Sequence, residues 1–118
     1  MNEQEQKALE KIRQQIDETD QQIQHLLNQR TAMAQEVARI KIENGEKADF
    51  YRPEREAMVL RNVMARNEGP LSSQEMARLF REIMSACLAA EKPLQVAYLG
   101  PEGSFTQAAA LKHFGGSV

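Results

Sequence analysis

Two charged residues stand where the pattern around them asks for apolar ones. Leu9, Ile16, Ile23 and Val37 recur on a seven-residue beat, and the remaining member of that row is Arg30. A guanidinium on an aliphatic row has to be paired or face a ligand. The neighbouring row, at positions 13, 20, 27, 34 and 41, carries Arg13 and Lys41 around Leu27 and Ala34. Cations lining one side of a helix can hold an anion. Arg30 and Lys41 are eleven residues apart, ~16 Å of helical rise, so their side chains leaning together can grip one small anion. Arg13 lies ~25 Å from Arg30 along the same helix, beyond shared reach. It can join such a site only from a second chain running antiparallel. The plainer alternative is that Arg13 and Lys41 are flank charges of a packed seam, with Arg30 paired to Asp20 or Glu56.

The opposite sign appears further on. Glu91 ends the row Phe80, Met84, Cys87, spaced 4, 3 and 4. Burial would favour its neutral form, which can donate a hydrogen bond. Solvation at a fraying helix end is the competing reading. Arg55 and Glu56 open another helix, where a carboxylate suits the positive end and a guanidinium does not.

These residues need helices to carry them. From Glu5 to Glu43 there is no Pro or Gly, and Ala, Leu, Gln, Glu, Lys and Arg dominate, so one long helix is predicted. Its seam is Leu9, Ile16, Ile23 and Val37 with Ile12, Leu26, Met33 and Ile40, and Asn44-Gly45 stops it. A loop over 46–52 leads to Pro53, suited to a first helical turn. The second helix runs to about Asn67, with Ala57, Leu60, Val63 and Met64 facing inward. Gly69-Pro70 ends it, and Ser72 with Glu75 gives a capping-box start to a third helix reaching about Glu91. Its apolar stripe is Met76, Leu79, Phe80, Ile83, Met84, Cys87 and Leu88, and Lys92-Pro93 closes it. Beyond this, Leu94 to Leu99 reads as a strand, 100–103 as a turn and 104–114 as a helix, the opening of an α/β domain. One strand cannot satisfy its own edges, so 93–118 is expected to be a linker and the truncated start of a second domain, and 1–92 the first. The fold class expected is all-α: three helices, one very long. A helix of ~38 residues spans ~57 Å, about twice the breadth of a compact 100-residue domain, so its seam calls for an intertwined homodimer.

Composition removes other classes. With 15 basic and 17 acidic residues there is no field to hold nucleic acid or an anionic membrane. The lone Cys87 excludes an intrachain disulfide and a multi-Cys zinc cluster, and neither metal nor cofactor is expected. Residues 1–15 lack a signal-peptide core, and no run reaches the ~18 apolar residues of a membrane span, so a cytoplasmic location is expected.

The spacing of Ile12-Arg13, Leu27-Asn28-Gln29-Arg30, Val37-Ala38-Arg39-Ile40-Lys41, Pro53-Glu54-Arg55-Glu56 and Leu79-Phe80-Arg81-Glu82-Ile83 resembles the all-helical chorismate mutase family. More narrowly, it resembles the mutase domain at the front of bacterial bifunctional chorismate mutase/prephenate dehydratases. The resemblance covers about residues 8–92. Residues 96–106, Val96 to Thr106, look like the first strand and turn of prephenate dehydratase, with Ser104 and Thr106 similar to residues of its site.

The resemblance implies conversion of chorismate to prephenate in a dimer with two sites. By position, Arg30 holds one carboxylate of this dianion and Arg13 of the other chain holds the second. Lys41 and Glu91 contact the ether oxygen, Glu56 accepts from the ring hydroxyl, and Arg55 and Cys87 adjoin the site. Three departures stand out, one of them Cys87, where some relatives have Ser. Many relatives have Gln in place of Glu91, which implies activity that declines with rising pH. Arg52 stands where relatives often have Asp. A dimerisation module without chemistry, and a lyase acting on a similar dianion such as isochorismate, are the alternatives.

Overall fold

The computed structural model describes residues 2–45 and 52–99, with 94–99 described by backbone alone. It contains three helices: α1 (Glu3–Glu43), α2 (Pro53–Arg66) and α3 (Ser73–Leu99). The chain divides into two compact units, residues 1–30 and the remainder from Thr31.

The first unit is helical from Glu3 onward. Asn2 begins it: its side-chain oxygen accepts from the Glu5 amide at 2.7 Å, and Glu3 and Glu5 suit the positive end of the dipole. Every residue from Glu10 to Gln29 is exposed. Ile12, Ile16, Ile23 and Leu26 each leave about half or more of their surface in water (53%, 52%, 49% and 58%). The row that periodicity marks as a packed seam is uncovered within the single chain.

The second unit holds the end of α1 with α2 and α3. Its buried residues are Ala38 from α1, Val63 from α2, and Ala77 and Cys87 from α3. Three of the four are small, and between α2 and α3 this lets the helix backbones approach closely. Thr31, Ala34, Ala38, Lys41 and Ile42 form the less exposed side of α1, spaced 3, 4, 3 and 1, whereas Met33, Val37 and Ile40 remain exposed. Polar contacts join α1 to α3: the Thr31 hydroxyl lies 3.4 Å from the Cys87 thiol, and the Gln35 amide donates to the Ala90 carbonyl at 3.1 Å. Residue numbers rise together across both contacts, so the two helices run in the same direction.

Helix ends follow the local chemistry. Gly45 takes a positive φ of 76° and its amide donates to the Ile42 carbonyl, while Asn44 caps the Ile40 carbonyl from backbone and side chain. Pro53 occupies the first turn of α2 as expected. Ser72 Oγ accepts from the Glu75 amide at 3.1 Å, but the Glu75 carboxylate pairs with Arg78 at 3.0 Å. At the turn between α2 and α3, Asn67 donates to the Leu71 carbonyl, and the Arg66 guanidinium sits 6.0 Å from the centre of the Phe80 ring.

Three expectations are corrected. On α2, Val63 is buried and Leu60 half-buried, but Ala57 and Met64 are exposed; the less exposed row is Glu56, Val59, Leu60 and Val63. Leu79 is also more exposed than a stripe residue should be, at 38%. Most consequentially, α3 does not close at Lys92-Pro93: it continues to Leu99 with Pro93 inside it, so Leu94 to Leu99 is helix and not strand. A lone strand has no neighbour to take its amides and carbonyls, whereas a helix satisfies them locally. The expected loop at 46–51, the turn at 100–103 and the helix at 104–114 lie outside the described residues.

Candidate functional site

The first unit carries Arg13, which is exposed, and Arg30, which is half-buried. Among the residues from Arg13 to Arg30, half-burial belongs to Arg30 alone, the guanidinium on the aliphatic row. A shallow open depression on this unit is lined by Glu18, Gln21, Gln22, His25 and Leu26. It lies along one helix flank and carries no Lys or Arg, so it does not suit an anionic ligand.

The remaining expected residues fall in the second unit. Lys41, Glu56 and Glu91 are half-buried, Cys87 is buried and Arg55 is exposed. Lys41 belongs to the row Thr31, Ala34, Ala38, whose first member touches Cys87 on α3. Glu91 directly follows Ala90, the residue whose carbonyl receives Gln35. Lys41 follows Gln35 on α1 by ~9 Å of helical rise. The Lys41 ammonium is thus carried on α1 and the Glu91 carboxyl on α3, two helices that touch through Thr31 and Gln35. Glu56 shares the less exposed row of α2 with Val63, and Arg55, one residue earlier, points its position toward solvent.

The structure separates Lys41 from the other cation of its run. Arg39 donates to Glu43 at 2.7 Å and to Glu36 through Nε at 3.0 Å, with a second, closer contact to Glu36. These hydrogen bonds raise the Arg39 pKa above its already high ordinary value and hold the Glu36 carboxyl below the usual carboxylate range. Arg39 is thus neutralised along its own helix, which leaves Lys41 as the residue of that run suited to a ligand. Cys87 has its thiol against Thr31 and is 3% exposed, a packing environment.

Thr31 and Gln35 were not marked by sequence reasoning. Neither breaks the apolar pattern, since both stand at positions where a polar residue is ordinary; only the partner helix reveals them. No group of three or more His, Cys, Asp or Glu side chains suited to a metal occurs among the described residues. No helix among them is long and apolar enough to cross a membrane.

Residues 12–92 match the family model for chorismate mutase type II. The matched span contains every expected site residue from Arg13 to Glu91. The chain is 61% identical over 113 residues to the bifunctional chorismate mutase/prephenate dehydratase of Stutzerimonas stutzeri, covering 93% of this chain and 31% of that protein. It is 58% identical over 116 residues to the protein of the same name from Pseudomonas aeruginosa, covering 96% of this chain and 32% of that one. The chain therefore spans about a third of the length of these curated relatives. Among solved structures, chorismate mutase (form II) from Thermus thermophilus matches with a TM-score of 0.66 and 32% identity, over 72% of this chain and 94% of that one.

Proposed function

The chain belongs to the chorismate mutase type II family, whose members are isomerases, and from this premise we propose how its own residues convert chorismate to prephenate. The reaction breaks a C–O bond as a C–C bond forms within one molecule, so it requires no nucleophile. What a protein can contribute is the compact reactive conformer and stabilisation of the negative charge growing on the ether oxygen. Arg30 and Arg13 from a second copy hold the two carboxylates, for which a planar fork of donors is suited. Lys41 and Glu91 act at the ether oxygen, with Glu91 donating when protonated. Glu56 accepts from the ring hydroxyl, Arg55 adds positive charge at the rim, and Cys87 packs beneath the site.

The observation that supports this assignment is the pair of contacts from α1, the helix of Lys41, to α3, the helix of Glu91: Thr31 with Cys87, and Gln35 with the Ala90 carbonyl one residue before Glu91. The homodimer is supported by the exposed aliphatic residues of α1, from Ile12 to Ile40, for which a second antiparallel copy is the fitting cover. Residues 1–92 form the mutase domain in this reading, and the family match ends at 92. Residues 93–118 lead toward a dehydratase portion, whose activity would belong to a longer protein, in a cytoplasmic setting. Ser104 and Thr106 would serve only there.

Following the loss of chorismate absorbance with purified protein, alongside Arg30→Ala, tests the reading. Turnover by the unaltered chain that Arg30→Ala abolishes supports it; absence of turnover by the unaltered dimer refutes it. A folded monomer at micromolar concentration would remove the shared site.

A further inference from the structure

Resting on the placement of Glu91 at the reacting oxygen, we infer that Gln35 is a positioning residue for Glu91: by donating to the Ala90 carbonyl it fixes the turn of α3 that Pro93 weakens, and with it the direction of the Glu91 carboxyl.

The argument begins with the backbone. Pro93 lies inside α3, which continues to Leu99. Proline has no N–H, so the Ala89 carbonyl, four residues earlier, loses its intrahelical donor, and the pyrrolidine ring crowds that same carbonyl. The turn from Ala89 to Pro93 is therefore the part of α3 least able to hold itself straight, and Glu91 sits in its middle. At this turn a neighbouring helix supplies a donor: Gln35 Nε2 reaches the Ala90 carbonyl at 3.1 Å. One turn earlier on both helices, Thr31 meets Cys87 at 3.4 Å. The two contacts lead up to Glu91 from the α1 side, four residues apart on α1 and three on α3, so they lie along one line of contact.

Direction matters more than strength at such a site. A carboxyl that must donate along one line to a developing charge loses effectiveness when its helix turn can rock, even though the substrate's carboxylates are still held elsewhere. Removing the Gln35 donor should therefore lower turnover and leave binding nearly intact. Gln35 is itself exposed, so its removal should not disturb the buried residues Ala38, Val63, Ala77 and Cys87.

The test is a double-mutant cycle on the full chain with chorismate. Gln35→Met keeps the side-chain length and removes the donor; Gln35→Ala is the second variant. The expected result for both is a kcat lower by about tenfold, a KM within about twofold, and an unchanged thermal midpoint. In a Glu91→Ala background the same substitutions should lower kcat no further. An unchanged kcat, or an equal loss in both backgrounds, overturns the inference. Glu91→Ala and Lys41→Ala alone report on the parent reading: if both keep full activity, that reading fails, whereas if both lose rate and Gln35→Met does not, only this inference fails.

Discussion

The first thirty residues and those that follow are built from the same helix-forming vocabulary, yet they use their apolar residues in opposite ways. From Thr31 onward, the chain buries small side chains, Ala38, Ala77 and Cys87, with Val63 among them. In the first unit, the larger Ile12, Ile16, Ile23 and Leu26 stay about half exposed or more. Within α1 of the second unit both habits coexist, since Ala34 and Ala38 face inward while Met33, Val37 and Ile40 do not. A seven-residue aliphatic beat thus marks a surface that needs covering, but not whose surface covers it. In this chain small residues and Val63 serve internal packing, while the large aliphatic residues of α1 stay exposed in the single chain.

That division predicts that chemistry and assembly come apart under mutation. Lys41→Ala removes a cation from the second unit without touching the exposed stripe. Its kcat should fall by about 10²–10³-fold, the scale for losing one donor at a developing negative charge, with the dimer intact by sedimentation. A module serving dimerisation alone would show no such loss. Ile16→Asp is the converse. A carboxylate in a covered aliphatic stripe is left unpaired, and the dissociation constant should rise by about a hundredfold or more, with activity lost as the Arg13 of the second copy departs. Helicity of the residues from Thr31 onward should survive, which far-ultraviolet circular dichroism of the monomer would report. Loss of all helicity would mean that the two regions are one cooperative structure.

A smaller effect tests the internal core. Val63 is 2% exposed and is the largest fully buried side chain among the described residues. Val63→Ala should lower unfolding stability by about 2 kcal/mol, while Val37→Ala, at a position 43% exposed in one chain, should act mainly through the dimer. Denaturant midpoints measured over a range of protein concentrations separate the two: the first shift should persist at every concentration and the second should grow on dilution.

These contrasts also explain what could be read from sequence. The three helices, and their ends other than the end of α3, were legible because the signals are local: Asn44-Gly45, Pro53 and Ser72 act within a turn. The charged residues on apolar rows were legible as anomalies, and Arg30 and Glu91 prove to be half-buried. Pro93 misled because a proline read alone is a stop, whereas its consequence depends on whether the following residues have anywhere else to place their amides. The inner face of α2 was displaced by about one position for a related reason: Ala57 and Glu56 are neighbours, and hydropathy favours the first although the helix turns the second inward. Thr31 and Gln35 carried no local signal, since a contact with the backbone of another helix is a property of packing.

The last contrast concerns charge. The carboxyls held below their ordinary range, Glu36 and Glu75, both lie in the second unit, lowered first by hydrogen bonds from Arg39 and Arg78. A carboxyl that holds its proton less tightly when folded contributes stability above the unfolded-state pKa, and that contribution is lost as pH falls through the folded value. Acid below the usual carboxylate range should therefore loosen the second unit slightly. The pairs are exposed to solvent, so the effect should be small and should vanish in ~1 M salt, where screening acts within ~3 Å. Urea midpoints at pH 6 and pH 3, at low and high salt, measure it, with Glu36→Gln/Glu75→Gln as the control in which the salt-sensitive part disappears. Because Glu36 and Glu75 belong to helices that also carry Lys41 and Glu91, a persistent salt-sensitive shift in that control would assign the acid response to other carboxyls, and Glu56 and Glu91 would be the next to test.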